Sequence, residues 1–117
     1  MAENSNNERR RFDRVDVSGT VKITAPISIS SNQGDFYGIL VNISIGGMGV
    51  ELNEKLQLQS IHVFSFTLNH KYEIKLKGQV KWFLQKDKAY LHGIEFTKIG
   101  FFTKLKLKKY LNESLSS

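Results

Sequence analysis

From Val17 onward, apolar and polar residues alternate along the chain with a period of two. Such alternation is typical of strands that bury one face and expose the other. The segment "GILVNISI", residues 38–45, predicts an apolar face made of Ile39, Val41, Ile43 and Ile45. The opposite face would then carry Gly38, Leu40, Asn42 and Ser44.

The segment "YEIKLKGQVKWFLQ", residues 72–85, has the most regular alternation, and its predicted core face consists of Ile74, Leu76, Val80, Trp82 and Leu84. In "GMGVEL" the predicted face consists of Met48, Val50 and Leu52. The short polar segments "NHK" at 69–71 and "QKDK" at 85–88 predict hairpin turns. Six or so strands without intervening helices predict an antiparallel sandwich or a small closed barrel.

The period changes in the last segment, where residues 98–115 predict an amphipathic helix packed on the end of the barrel. Its predicted apolar stripe consists of Ile99, Phe102, Leu105, Leu107, Tyr110, Leu111 and Leu115. The remaining surface carries Lys104, Lys106, Lys108 and Lys109. We expect these lysines to form a solvated face rather than a nucleic-acid patch.

Composition limits the classes of protein to consider. The chain has 117 residues, no cysteine and a net charge of +6, which predicts one domain without disulfides and either an anionic partner or simply good solubility. The polar start, and the absence of a run of about 20 apolar residues, predict no signal segment and no membrane insertion. A cytoplasmic location is therefore expected.

The stretch "NISIGGMGV", residues 42–50, is the first candidate site. Asn42 and Ser44 share a predicted face and lead into Gly46 and Gly47, where positive φ and close backbone approach are tolerated. An amide, a hydroxyl and bare backbone N–H groups would form a ledge for a flat or anionic ligand. A plain hairpin turn that needs glycine remains the alternative.

The stretch "ERRRFDR", residues 8–14, is the second candidate site. The spacing of Arg10 and Arg14 places both guanidinium groups on one side of the segment, whether it is helical or extended. Their planar donor forks suit phosphate oxygens and the O6/N7 edge of guanine. A solvated basic tail with local ion pairs to Asp13 is the alternative.

In this order, the two stretches resemble the motifs of the PilZ domain family. The first motif corresponds to Arg10 and Arg14 in "RRFDR", and the second, D/N-x-S-x-x-G, to Asn42, Ser44 and Gly47 in "NISIGG". The segments "GQVKW" at 78–82 and "HGIEF" at 92–96 are also similar to the family. The resemblance extends from about Glu8 to the C-terminal helix.

The resemblance implies a six-stranded antiparallel PilZ-type β-barrel with a C-terminal α-helix. Residues 1–8 would be a disordered tail and residues 9–117 one domain, divided into a ligand-binding arm at 9–16, a barrel at 17–97 and a helix at 98–115. The implied ligand is the bacterial second messenger cyclic di-GMP, with no other cofactor.

In that family, the two motifs hold the ligand. Arg10 and Arg14 would bind guanine edges and phosphates, and Asn42 and Ser44 a guanine or the ribose-phosphate ring. Gly46 and Gly47 would let the ligand approach the backbone. A further guanidinium, that of Arg9, would influence whether one ligand or a stacked pair binds.

The resemblance leads to a signalling hypothesis. Ligand binding would order the arginine arm over the barrel and present a new surface to an unidentified downstream protein partner. Two alternatives stay open: a PilZ-like protein-interaction adaptor without ligand binding, and a small single-stranded nucleic-acid-binding barrel. The second is disfavoured because Trp82 and Tyr90 alternate in phase with predicted core residues.

An enzyme is not expected. His62, His70 and His92 lie in separate segments, without the spacing of a metal site or a catalytic motif. His62 and His92 are predicted to lie in the barrel and His70 in a turn. No metal ligands are predicted.

Overall fold

The structure is a computed structural model that describes residues 19–32 and 34–116, so the predicted tail and the arm with Arg9, Arg10 and Arg14 lie outside the described residues. The described elements are β1 (Val21–Ser31), β2 (Gly34–Ile43), β3 (Gly47–Leu52), β4 (Ile61–Leu68), β5 (Tyr72–Lys86), β6 (Ala89–Lys98) and the helix α1 (Phe101–Ser116). No helix within these ranges has both the length and the apolar character that crossing a bilayer requires.

The strands form a closed barrel in the order β1-β2-β3-β6-β5-β4, and all neighbours are antiparallel. This confirms the predicted six-stranded barrel rather than the sandwich. The turn between β4 and β5 contains Asn69 and His70 at φ values of 54° and 60°, and the Lys71 N–H donates to the Leu68 carbonyl at 3.1 Å. The predicted hairpin at 69–71 is therefore confirmed.

The core is made of the inward faces of the strands and one side of α1. On β3, the predicted face of Met48, Val50 and Leu52 is confirmed, because all three are buried. The other strands contribute Ala25, Ile27, Ile29, Phe64, Phe66, Leu68, Ile74, Leu76, Val80 and Ile94, and α1 contributes Leu107, Tyr110 and Leu111. The helix therefore extends the core of the barrel rather than lying apart from it.

A bulge in β2 changes the face that the alternation predicted. Leu40 pairs with Val50, whereas Asn42 pairs with Gly49, so Val41 is an extra residue on β2. Leu40 is fully buried and Ile39 is 38% exposed, which makes the predicted inward position of Ile39 wrong. After the bulge, Ile43 is buried as predicted.

A second irregularity in β5 has the same effect. Val80 pairs with Ile94 and Trp82 with Gly93, so Lys81 is the extra residue. The prediction that Trp82 and Leu84 belong to the core is wrong, since they are 50% and 58% exposed. The period-two pattern does not reveal the inserted residue, because the apolar side chains simply continue onto the outer face.

The helix buries only part of its predicted stripe. Leu107 and Leu111 are fully buried, but Phe102 and Leu105 are 74% and 40% exposed, so their predicted burial is wrong. At about 100° per residue, the side that carries Leu107 and Leu111 points away from the side that carries Phe102. The side with Leu107 and Leu111 packs on the barrel, and the side with Phe102 stays in solvent.

Candidate functional site at the β2–β3 turn

The turn between β2 and β3 is held by hydrogen bonds on both sides. The Ser44 N–H donates to the Gly47 carbonyl at 2.8 Å, and the Ser44 hydroxyl donates to the same oxygen at 3.2 Å. From β6, the Phe96 N–H donates to the Gly46 carbonyl at 3.0 Å. The predicted ledge is therefore a fixed backbone surface and not a loose loop.

The two glycines of the turn differ in what surrounds them. A Cβ atom at Gly47 would lie 2.5 Å from the Ile94 carbonyl oxygen, whereas a Cβ at Gly46 would meet no atom within 4 Å. Neither adopts the positive φ that glycine tolerates, since among the described glycines that conformation belongs to Gly34. Gly47 is required by its contact with β6, and Gly46 leaves open space above the turn.

Asn42 lies on the same surface because of the bulge in β2. A Cβ atom at Gly49 would lie 2.8 Å from its Nδ2 and 2.9 Å from its Oδ1, so the amide lies directly over the backbone of β3. Within the described ranges, the amide of Asn42 has no hydrogen-bond partner. An amide carries both donors and an acceptor, which suit the edge of a base.

Trp82 is the site residue that the sequence analysis missed. A Cβ atom at Gly93 would overlap Cε2 and Nε1 of the indole, so the ring lies against the bare backbone of β6. With half of its surface exposed, the indole offers an aromatic wall. The signal that could have found it is the glycine of "HGIEF", which leaves room beside a large aromatic side chain on a neighbouring strand.

These groups surround one concavity of about 350 Å³. Its lining includes the predicted Asn42, Ser44, Gly46 and Gly47, and also Trp82, Lys81 and Thr20. Lys81 Nζ lies 3.6 Å from Glu95 Oε1 in an exposed ion pair. Because Lys81 is the one cationic residue among the described lining residues, an anionic ligand would need further positive charge from elsewhere.

The histidines lie outside this concavity, at the positions predicted for them. His92 is fully buried in β6, its Nε2 accepts a hydrogen bond from the Leu56 N–H at 3.0 Å, and burial lowers its pKa. His62 Nε2 lies 2.8 Å from the Ser60 hydroxyl, and burial lowers the pKa of His62 as well. Among the residues described, no three His, Asp or Glu side chains are grouped as metal ligands would be.

Solved structures with a similar fold were found at low sequence identity. The Bacillus subtilis inhibitor of motility (MotI/DgrA) is 17% identical with a TM-score of 0.71, over 83% of this chain and 49% of that one. YcgR from Escherichia coli in complex with c-di-GMP is 14% identical with a TM-score of 0.71, over 84% and 44%. The chain thus spans about half the length of these two proteins.

A shorter protein of similar fold is the PilZ domain of CeSA from a cellulose-synthesizing bacterium. It is 14% identical with a TM-score of 0.58, over 85% of this chain and 97% of that one. No curated protein sequence matches the chain. The family model described as the PilZ domain, however, matches residues 8–113, which include both motifs. By this match over most of its length, the chain belongs to the PilZ domain family.

Proposed function

We propose that this chain is a receptor for cyclic di-GMP. The observation that carries the proposal is that the second motif, Asn42, Ser44 and Gly47, lines one concavity together with the indole of Trp82. Membership of the PilZ family supports it, as do the similar structures of YcgR and of K. pneumonia MrkH in complex with c-di-GMP.

The ledge has the chemistry that a guanine base requires. An exposed indole offers a face on which a base stacks, and the amide of Asn42 can both donate to and accept from a base edge. The open space above Gly46 allows a flat ligand to approach the backbone. A guanine would therefore lie against Trp82, with its polar edge toward Asn42 and Ser44.

The two phosphates of the ligand require cations that the ledge does not supply, because Lys81 is already paired with Glu95. Arg10 and Arg14 would supply them. Thr20 lines the concavity, and Arg14 precedes it by six residues, a separation that an extended chain spans with about 20 Å of reach. Both guanidinium groups could therefore reach a ligand on the ledge.

Closing the arm, residues 9–16, over the ligand has an energetic cost. Ordering the backbone costs about 1–2 kcal/mol per residue, and each charge-assisted hydrogen bond contributes about 1.5–3 kcal/mol. Several such bonds are needed, which is why we assign the role to a pair of arginines. Residues 1–8 would remain a tail, and Arg9 would favour binding of a stacked ligand pair.

The output of the receptor would be a surface formed by the ordered arm and recognised by a downstream protein. Since the chain spans about half the length of the first two similar structures, the identity of that partner is not carried over from them. A PilZ-like adaptor that binds no nucleotide is the alternative that the following test separates from a receptor.

Calorimetric titration of cyclic di-GMP into the purified protein tests the proposal. We expect a Kd near micromolar, about −8 kcal/mol, which Arg14→Ala abolishes and Asn42→Ala weakens by about tenfold through the loss of a ligand hydrogen bond. Arg11→Ala is the matched control and should bind like the parent protein. The stoichiometry, compared with that of Arg9→Ala, tests the role of Arg9.

Two results would overturn these assignments. No heat at several temperatures, from protein that melts cooperatively, would favour the ligand-free adaptor. Unchanged affinity in Asn42→Ala would remove the ledge from the binding site, even if the receptor function held.

A further inference from the structure

The helix α1 carries apolar side chains on two opposite faces. Its inner face is buried on the barrel. On the outer face, Phe101, Phe102 and Leu105 are 70%, 74% and 40% exposed. At about 100° per residue, Leu105 lies between the two phenylalanines on the helix surface. We call these three residues the aromatic ridge.

The ridge has no role in the core. The rings of Phe101 and Phe102 contact each other edge to face, with centroids 5.2 Å apart, and neither residue belongs to the hydrophobic core. Two adjacent phenylalanines that are 70% and 74% exposed leave apolar surface in water, and this exposed surface does not stabilise the fold. Exposed apolar patches of this kind mark interaction surfaces.

Lysines lie close to the ridge along the helix and in the strand that leads into it. Lys104 and Lys109 are exposed on the same helix, and Lys98 is exposed at the end of β6, just before the helix begins. In the sheet, Lys98 pairs with Lys77 of β5. We call these four residues the basic rim.

The rim is unfavourable for the helix itself. The first turn of α1 contains no acidic residue, although the positive end of the helix dipole favours acidic residues and disfavours lysines there. Glu113, the acidic residue of α1, lies near the other end of the helix and accepts a hydrogen bond from the Tyr72 hydroxyl at 2.6 Å. The charge around the ridge is therefore positive and uncompensated by the helix.

We propose that the aromatic ridge and the basic rim dock the protein peripherally on the surface of an anionic lipid bilayer. The phenylalanines would enter the boundary between headgroups and acyl chains, and the lysines would contact lipid phosphates, as in interfacial amphipathic helices. The ridge is on the outer, convex face of α1. A bilayer deforms around a convex apolar ridge, whereas a protein partner would need a preformed groove, so the geometry favours the bilayer.

This surface is separate from the nucleotide ledge. None of the ridge or rim residues lines the concavity that contains Asn42 and Trp82. Membrane docking can therefore be tested without cyclic di-GMP, and its failure would leave the proposed receptor function untouched.

Sedimentation with large vesicles tests the proposal on the full chain. We expect binding to phosphatidylcholine vesicles that contain phosphatidylglycerol, little binding to phosphatidylcholine alone, and a steep loss of binding with added salt. The double variant Phe101→Ser/Phe102→Ser should bind at least about tenfold more weakly, since the burial of each phenyl ring is lost. The matched control is Tyr37→Ser, which removes an aromatic residue of 73% exposure from another surface.

The charge requirement has its own variant pair. Lys104→Gln/Lys109→Gln should weaken binding by about fivefold per lysine. Lys86→Gln/Lys88→Gln, in and beside the β5–β6 turn, removes the same charge from a different place and should bind at least fivefold more tightly than the rim variant. Equal losses of vesicle binding in both double variants would show that binding depends on net charge alone. That result would overturn the assignment to the basic rim.

A fluorescent probe reports the depth of insertion. Trp82 is the one tryptophan of the chain, so Trp82→Phe/Phe102→Trp moves the reporter into the ridge. Vesicles with phosphatidylglycerol should shift its emission to the blue, and brominated lipid should quench it.

Three outcomes would overturn the docking proposal. One is no vesicle binding by the parent protein at low salt. Another is undiminished binding by Phe101→Ser/Phe102→Ser, which would assign membrane contact to the arginine segment at 9–14. The third is retention on immobilised polyglutamate with no vesicle binding, which would assign the surface to an acidic protein.

Discussion

Gly93 decides where the indole of Trp82 lies. Any larger residue at position 93 would place its Cβ atom inside the ring. Because Trp82 pairs with Gly93, the indole has the space to lie against β6 and form the aromatic wall of the ledge. The same relation holds between Gly49 and Asn42. At both positions a glycine on one strand allows a side chain of the candidate site, on the next strand, to lie flat on the barrel.

Replacing the indole should weaken ligand binding more than it weakens the fold. For Trp82→Ala we expect about a tenfold or greater loss of affinity for cyclic di-GMP, because base stacking on an aromatic side chain contributes about 1–3 kcal/mol. The measurement is calorimetry combined with a thermal melt. Leu84→Ala, which removes another half-exposed side chain of β5, is the control, and an equal effect of both variants would contradict stacking on Trp82.

The two glycines of the turn make a matched pair for stability. Gly47→Ala should lower the free energy of unfolding by about 1–3 kcal/mol, because its Cβ atom would lie 2.5 Å from the Ile94 carbonyl oxygen. Gly46→Ala, with open space around its Cβ atom, should leave stability close to that of the parent. Urea denaturation measures both, and equal stabilities would contradict the close contact between Gly47 and β6.

At the scale of elements, bulges create the site. In a regular strand, Asn42 would share the face of Leu40, two residues before it, and point toward the core. In the same way, a regular β5 would place Trp82 on the buried face of Val80. Each insertion reverses the alternation of the residues that follow it, so that Asn42 and Trp82 lie on the outer face beside the β2–β3 turn.

The helix has one side in the core and one side in solvent. Leu107 and Leu111 complete the core, while Phe101 and Phe102 remain in solvent. The later turns of the helix are tied to the β4–β5 hairpin by Glu113, which accepts a hydrogen bond from Tyr72 and lies 3.7 Å from Lys71 Nζ. The helix is thus anchored away from its first turn, which is the part that carries the ridge.

At the scale of the whole molecule, His92 joins the barrel to the segment between β3 and β4. Its ring is fully buried, and its Nε2 accepts a hydrogen bond from the backbone N–H of Leu56. Leu56 is itself a core residue. A buried imidazole that accepts a hydrogen bond must be neutral at that nitrogen, so protonation opposes folding.

The resulting pH dependence has a definite sign. Burial lowers the pKa of His92 below the ordinary value of 6.5 and that of His62 in the same direction, so the unfolded chain binds protons first as the pH falls. Stability should therefore be fully present above about pH 6.5 and should decline below it, toward the lowered folded pKa. Thermal melts between neutral and mildly acidic pH measure this effect.

The control for this effect is another histidine. His92→Gln should be less stable at neutral pH and should flatten the decline, whereas His70→Gln, in an exposed turn, should retain it. A separate decline is expected at lower pH, because the hydrogen bond from Tyr72 lowers the pKa of Glu113 below 4.5. An unchanged pH profile in His92→Gln would contradict the assignment of the first decline to His92.

The sequence by itself determined the strands, their hairpins, the C-terminal helix and the position of the second motif. These features follow from local periodicity and turn chemistry, which neighbouring residues along the chain specify. It also led to the PilZ family, which the match over residues 8–113 confirms. The roles of Arg9, Arg10 and Arg14 stay predictions, since these residues lie outside the described part of the chain.

Only the tertiary structure decided that Leu40 lies inside, that Trp82 lies on the ledge, and that the outer face of α1 exposes two phenylalanines. A bulge is a mismatch between two paired strands, and the buried side of a helix depends on the surface on which it packs. Both are relations between distant segments, and a pattern read along one segment contains no information about the partner that it will meet.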